Sequence, residues 1–261
     1  MITLAIHVLA AGIAGAIVGL GLQRIGAAAF SRFGVSDTRD LAAVAGIRIA
    51  AIFGIAVALI FSSSHAYYGE AKKDVLDEVR LIGTLYILEK NLPASGDSLE
   101  LRAKLIRYAQ ASARDLQQPQ TADESADATN QLLLSICMSL APGPGETAST
   151  NWLRTQAQTS CDRLIELRGK TRVRMSVSNT EAAFWIFFGL SFVFLAMLFG
   201  VFEKRSLNYV FATLFYFVAG ATALLIFWMS NPYFGPSRIS STPYLQLIAK
   251  IEGSGGAVPA K

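Results

Sequence analysis

The chain has 261 residues, of which 52% are hydrophobic and 16% charged, whereas soluble domains carry about a quarter charged residues, so the composition points to lipid. Its formal net charge is +4, with 23 Lys and Arg against 19 Asp and Glu and no basic run, a balance that excludes a groove for nucleic acid. Two cysteines, Cys137 and Cys161, and two histidines, His7 and His65, fall short of the roughly three or four converging ligands of a zinc site, so no metal and no cofactor is expected.

Residues 2–22 form the first predicted span, with His7 as their only ionisable side chain; roughly 20 apolar residues are needed to cross about 30 Å of hydrocarbon. No Lys or Arg precedes the run and it is longer than a signal-peptide core, so a retained span is expected rather than a leader cleaved near Ala27-Ala28-Ala29. Residues 41–64 form the second span, apolar apart from Arg48 and the closing Ser62, Ser63 and Ser64. Gly12, Gly15 and Gly19 in the first span, and Gly46, Ala50, Gly54 and Ala58 in the second, let helix backbones approach closely. That texture predicts either that this hairpin (residues 1–64) lies inside an assembly, or that the spans pack as a bundle within one chain.

Residues 65–181 read as an extramembrane domain of four helices. The first continues out of span two to about Glu89, with Val75, Val79, Ile82 and Tyr86 at helical spacing. Asn91 to Gly96 breaks it. The second runs from Asp97, with Glu100 as its capping-box partner, to about Leu116; the third runs from near Thr121 to Leu140. The Pro/Gly stretch 141–145 stops the chain, and a fourth helix from about Ser149 through Arg174 is expected to feed span three. Between His65 and Thr180 there are 14 acidic and 14 basic residues, a mixed surface suited to packing between helices or subunits. Arg168, Lys170, Arg172 and Arg174 read as headgroup contacts beside a span. The cysteines lie unevenly about the Pro/Gly turn, and a flush hairpin would set them at different heights, so a reduced pair is expected.

Residues 182–202 and 207–229 are the third and fourth spans, uncharged and rich in Phe, Tyr and Trp, with Glu203-Lys204-Arg205-Ser206 as the turn of a second hairpin (residues 182–229). Short loops on one side hold Arg24, Arg32, Arg39, Lys204 and Arg205; the other side holds Lys72, Lys73, Arg80, Arg163, Arg168, Lys170, Arg172, Arg174 and Arg238 near a span. The excess of Lys and Arg marks the cytoplasmic side, which puts the middle domain and tail there. The tail (residues 230–261) opens on Asn231-Pro232-Tyr233-Phe234-Gly235-Pro236, and Tyr244, Leu245, Leu247, Ile248 and Ile251 form an amphipathic segment suited to the membrane interface.

Arg48 is the sharpest single residue. A charge inside a span marks a pathway or a partner, but an arginine this near the end of a span also snorkels to headgroups. If Arg48 faces inward, Ile52, Ile55, Leu59 and Ser62 share its stripe, with His65 a turn further. That is a pore wall with a positive mouth, an apolar constriction able to gate by dewetting, and a hydroxyl exit. No side chains are placed for nucleophilic or acid–base catalysis, so the chain is not expected to be an enzyme.

Three stretches carry a resemblance. HAYYGEAKKDVLDEVRLIGTLYILEKNLP with Glu78, LRAKLIRYAQ with Tyr108, and NPYFGPSRISSTPY resemble the bestrophin-like family of small bacterial membrane proteins. The resemblance departs at Arg48 and at Asp115-Leu116-Gln117, where an acid followed by Trp and Pro is expected. It implies an all-α protein of the bacterial inner membrane: four transmembrane helices in two hairpins, with a cytoplasmic helical domain between spans two and three. By analogy with true bestrophins it also implies a homo-oligomeric anion channel with span two lining the pore; the calcium-binding acids of those channels have no counterpart beside this tail. The competing reading is a non-catalytic scaffold or accessory subunit docked in a larger membrane complex.

Overall fold

The computed structural model describes residues 2–32, 39–92, 98–118, 122–141, 147–178, 180–201 and 206–253. Every regular element among them is an α-helix: α1 (Ile2–Arg32), α2 (Arg39–Asn91), α3 (Ser98–Gln117), α4 (Ala122–Ser139), α5 (Ala148–Ser176), α6 (Ala182–Phe199), α7 (Ser206–Ser230) and α8 (Thr242–Gly253). Among the described residues four segments, Ile2–Arg32, Val44–Asn91, Ala182–Phe199 and Asn208–Ser230, are long and apolar enough to cross a membrane. The second predicted span thus belongs to a helix that runs on unbroken past Glu89. The proposed caps Asp97 and Thr121, residues 142–145 of the Pro/Gly breaker, the turn residues Glu203 to Arg205 and the tail beyond 253 lie outside the described residues.

The chain divides into two compact units: Met1–Tyr68 with Ser178–Asn231 and Gly235–Ser237, and Gly69–Val177 with Pro232–Phe234 and Arg238–Lys261. In the first unit α1 packs on α7 and α6. Its glycine stripe is occupied inside the chain: a Cβ on Gly15 would stand 2.6 Å from the Tyr216 carbonyl oxygen, and one on Gly220 would stand 2.5 Å from that of Ala11. Two backbones meet there with no side chain between them, the means by which membrane helices gain contact in a solvent as apolar as themselves. The small-residue face of α1 therefore serves packing within one chain, and the bulky Phe192, Phe199 and Phe215 pack around a buried core of Ala196, Ala212 and Tyr216. Valine at Gly220 is expected to lower stability by about 1–3 kcal/mol through overpacking. Thermal unfolding in detergent checks this, with Gly21→Ala, where nothing lies within 4 Å, as the neutral comparison.

In the second unit residues 69–91 of α2 are joined by α3, α4, α5 and α8. Each of the first four buries a stripe at intervals of three and four residues: Ala71, Val75, Glu78, Ile82 and Leu85 on α2; Leu101, Leu105, Tyr108 and Ser112 on α3; Leu133, Ile136 and Leu140 on α4; Ala157, Cys161 and Leu164 on α5. Three expectations are corrected here. Cys137 and Cys161 form a disulfide, with Cα atoms 5.7 Å apart. The hairpin is not flush: α5 begins well beyond the end of α4, which brings a cysteine thirteen residues into α5 level with one near the end of α4. Nor does α5 feed the third span, because Val177 (φ −123°, ψ 126°) and Glu181 (φ −68°, ψ 151°) are extended and end one helix before the next starts. Finally, the tail helix does not keep its apolar face for the interface. Tyr244, Ile248 and Ile251 are buried and α8 packs on α3, leaving Leu245 exposed; Arg102 of α3 closes the contact by donating to the Ile251 and Glu252 carbonyls.

Candidate functional site

The part of α2 in the first unit is gripped along one edge. At Gly46 an added Cβ would come within 2.9 Å of the Leu198 side chain. Phe53, 5% exposed, sets its ring 5.1 Å from that of Phe188 and 6.3 Å from that of Phe215. Ser64, fully buried, shares a 2.9 Å hydrogen bond with Ser230, whose hydroxyl also bonds Thr180.

The opposite edge is bare. With about 100° between successive residues, Arg48, Ile52, Ile55, Leu59 and Ser62 all fall within about 40° of one direction along about 21 Å of helix. Ile52, Ile55 and Leu59 are 60%, 63% and 67% exposed, and Arg48, Ser62 and His65 are exposed too. The stripe is thus one continuous face with a cation at one end, three aliphatic side chains at its centre and a hydroxyl at the other. His65 is the exception to the alignment: it turns about 100° away from that direction and stacks on Phe61 at 6.4 Å. Beside the stripe the surface is small, with Ala51, Gly54 and Ala58 exposed and nothing within 4 Å of Gly54.

The second unit holds a buried polar cluster. Tyr108 and Ser112 of α3 donate to Glu78 Oε1 of α2 at 2.9 and 3.0 Å. Arg168 of α5 pairs with Asp115 of α3 and stands 4.0 Å from Glu78, while Thr129 of α4 donates to Asp115 Oδ2 at 3.5 Å. Burial alone would lower the Arg168 pKa, but Glu78, Tyr108, Asp115 and Tyr244 outweigh it and raise the value. Burial, then the charge of Glu78, pushes the Tyr108 phenol well above its usual range, so it stays a donor. Two carboxylates and one guanidinium here knit α2, α3, α4 and α5 together. Among the described residues no group of three or more His, Cys, Asp or Glu is placed to hold a metal.

The family profile described as the bestrophin-like domain matches residues 13–244. The chain belongs to the bestrophin-like family. A search of curated protein sequences finds no match. Among solved structures, a substituted form of a bacterial bestrophin homologue from Klebsiella pneumoniae is 16% identical, with 93% of this chain and 98% of that one covered and a TM-score of 0.68. Another substituted form of that homologue is 14% identical over 94% and 98% of the two chains, at a TM-score of 0.71. A structure described as a membrane protein is 14% identical over 95% and 99%, at a TM-score of 0.73. At these identities the likeness is one of fold.

For this bestrophin-like chain the sequence reading found Glu78 and Tyr108 but missed what joins them. Arg168 is not at a headgroup: it is 5% exposed and sits in the cluster. The signal lay in the spacing, because Ala157, Cys161, Leu164, Arg168 and Thr171 recur on the buried stripe of α5, just as Asp115 continues the stripe of α3. An ionisable residue on an apolar stripe needs a buried partner. Of the neighbouring cations, Arg174 is likewise paired, with Asp74 at 2.7 Å and Glu70 at 2.9 Å.

Proposed function

We propose that the bestrophin-like chain is a subunit of a homo-oligomeric anion channel in the bacterial inner membrane, with the bare edge of α2 as its pore wall. The observation that carries this reading is the make-up of that edge. Other exposed surfaces of the candidate spans carry large aromatic and aliphatic side chains, such as Phe187, Leu190, Phe194 and Phe211 on α6 and α7, as suits contact with lipid. The α2 stripe instead ends in a cation and a hydroxyl, groups that are unfavourable against hydrocarbon and suited to water. In this reading Arg48 forms the positive mouth, Ile52, Ile55 and Leu59 a constriction that gates by dewetting, and Ser62 the far exit, with His65 to its side. The open shoulder of Ala51, Gly54 and Ala58 suits close approach by a helix of a neighbouring subunit.

The helical unit is proposed to be cytoplasmic on the count of Lys and Arg flanking the spans. The Cys137–Cys161 disulfide argues for the other side, since disulfides persist chiefly in oxidising compartments. Protease access to this unit in sealed vesicles of known orientation decides between them. For the channel itself, the purified protein in a planar bilayer is expected to carry a chloride-selective current under a chloride gradient. No current from folded, oligomeric protein overturns the reading and assigns the bare edge to docking in a larger membrane complex.

A further inference from the structure

Within the second unit, α2 and α5 form the two walls of an open groove of about 590 Å³, a volume within the range of about 300–1,000 Å³ that small organic ligands occupy. Counting about 100° per residue, the groove residues Asp77, Arg80, Leu81 and Thr84 lie with Glu70 and Asp74 in one arc of about 120° on α2. On α5, Ser160, Arg163, Glu166, Leu167 and Lys170 lie with Arg174 in another arc of about 120°. Arg174 joins the two faces, reaching Asp74 at 2.7 Å and Glu70 at 2.9 Å. The walls are therefore fastened to each other by groups that do not line the groove.

The charges left over decide what the groove can take. Arg174 occupies Glu70 and Asp74, and Lys170 occupies Glu166 at 2.6 Å. Thr84 and Ser160 give their hydroxyl protons to the carbonyls of Arg80 and Gln156 on their own helices. One guanidinium remains on each wall. Arg80 and Arg163 are both exposed, and neither is in an ion pair among the described residues. A carboxylate is satisfied by one guanidinium fork, whereas a phosphate offers three oxygens and accepts from two forks at once. Leu81 and Leu167, half-buried, supply apolar lining for a carbon body. Half-buried Asp77 offsets one of the two arginines, which leaves a field suited to a single phosphate and too weak for a long polyanion.

We propose that this groove binds a small soluble phosphate monoester, its phosphate held by Arg80 and Arg163 and its carbon body against Leu81 and Leu167. The probe is phenyl phosphate, titrated calorimetrically into the purified full-length protein in a phosphate-free detergent. It is expected to bind with a Kd of about 1 mM or tighter. Arg80→Gln and Arg163→Gln should each weaken it by about tenfold or more, while Arg107→Gln, at an exposed position of α3, leaves it unchanged. Asp77→Asn should tighten it several-fold by removing the one opposing charge, a gain that a merely structural role for these residues would not produce. Inorganic phosphate should bind more weakly than phenyl phosphate, because it leaves the leucines unused. Glycerophosphoglycerol, a soluble phosphodiester with the headgroup chemistry of an anionic lipid, should bind more weakly still. If it binds as tightly as phenyl phosphate, the site belongs to a lipid headgroup and the proposal falls. No binding of phenyl phosphate, or equal affinity in wild type and both arginine variants, overturns it as well. Matching unfolding temperatures among the variants establish that a lost affinity does not come from misfolding.

Discussion

Replacing Arg168 by methionine is expected to destabilise the helical unit by about 3–5 kcal/mol, the loss typical when one member of a buried ion pair is removed. The reason is what remains. Glu78 is fully buried and Asp115 is 3% exposed; with Arg168 gone, both lose the cation that balances them in a low-dielectric interior. Tyr108 and Ser112 still donate to Glu78, and Thr129 to Asp115, but neutral donors do not replace a guanidinium. In a thermal scan the unfolding midpoint should fall on the order of 10 °C. Removing the carboxylates as well, in Arg168→Met/Asp115→Leu/Glu78→Met, should recover most of the loss, because a well-packed apolar replacement of a whole buried ionic cluster is often neutral or better. If Arg168→Met alone unfolds at the wild-type temperature, the cluster does not hold this unit together.

Asparagine at Ile55 is expected to raise the current at fixed voltage several-fold. Ile55 stands at the middle of the exposed aliphatic run, between Ile52 and Leu59. A ring of such side chains excludes ions by keeping the narrowest length of pore free of water, and an amide in the same place holds water there. The comparison is Ile47→Asn. Ile47 is 71% exposed on the same helix but points about 100° away from the stripe, so asparagine there changes the polarity of α2 without wetting the proposed constriction. Equal currents from wild type and Ile55→Asn would move the constriction elsewhere or remove it.

How much of this was legible follows from what each signal measures. The spans were readable because a run of about 20 apolar residues has few other meanings, and the continuation of α2 to about Glu89 was readable because one helical period persists through it. The end of α5 was not, although Val177-Ser178-Asn179-Thr180 is a short stretch poor in helix formers. A charge-based reading joined the basic series to the span and passed over the break. The cysteine pairing was missed for a geometric reason: sequence counts residues from a turn, whereas the structure sets α5 past the end of α4. The amphipathic tail segment carried a real signal with two outlets, lipid or another helix, and only the packing of Tyr244, Ile248 and Ile251 against α3 selects between them. At the candidate site the stripe itself was legible from spacing. His65 was not correctly aligned, because a turn of the helix holds 3.6 residues and three residues beyond Ser62 fall short of it.

The one-sided attachment of α2 has a mechanical meaning. Gly46 against Leu198, Phe53 against Phe188, and Ser64 bonded to Ser230 lie in a row, like the pins of a hinge, while among the described residues the far side of the helix at Ile52, Ile55 and Leu59 is left exposed. Between these pins and the buried Ala71 and Val75 further along the same helix, this stretch of α2 has room for only a small roll about its own axis. Side-chain tips lie about 5–6 Å from a helix axis, so a roll of about 20° carries them about 2 Å. That approaches the size of one water molecule, so in the proposed channel a small rotation would be enough to turn a dry passage into a wet one.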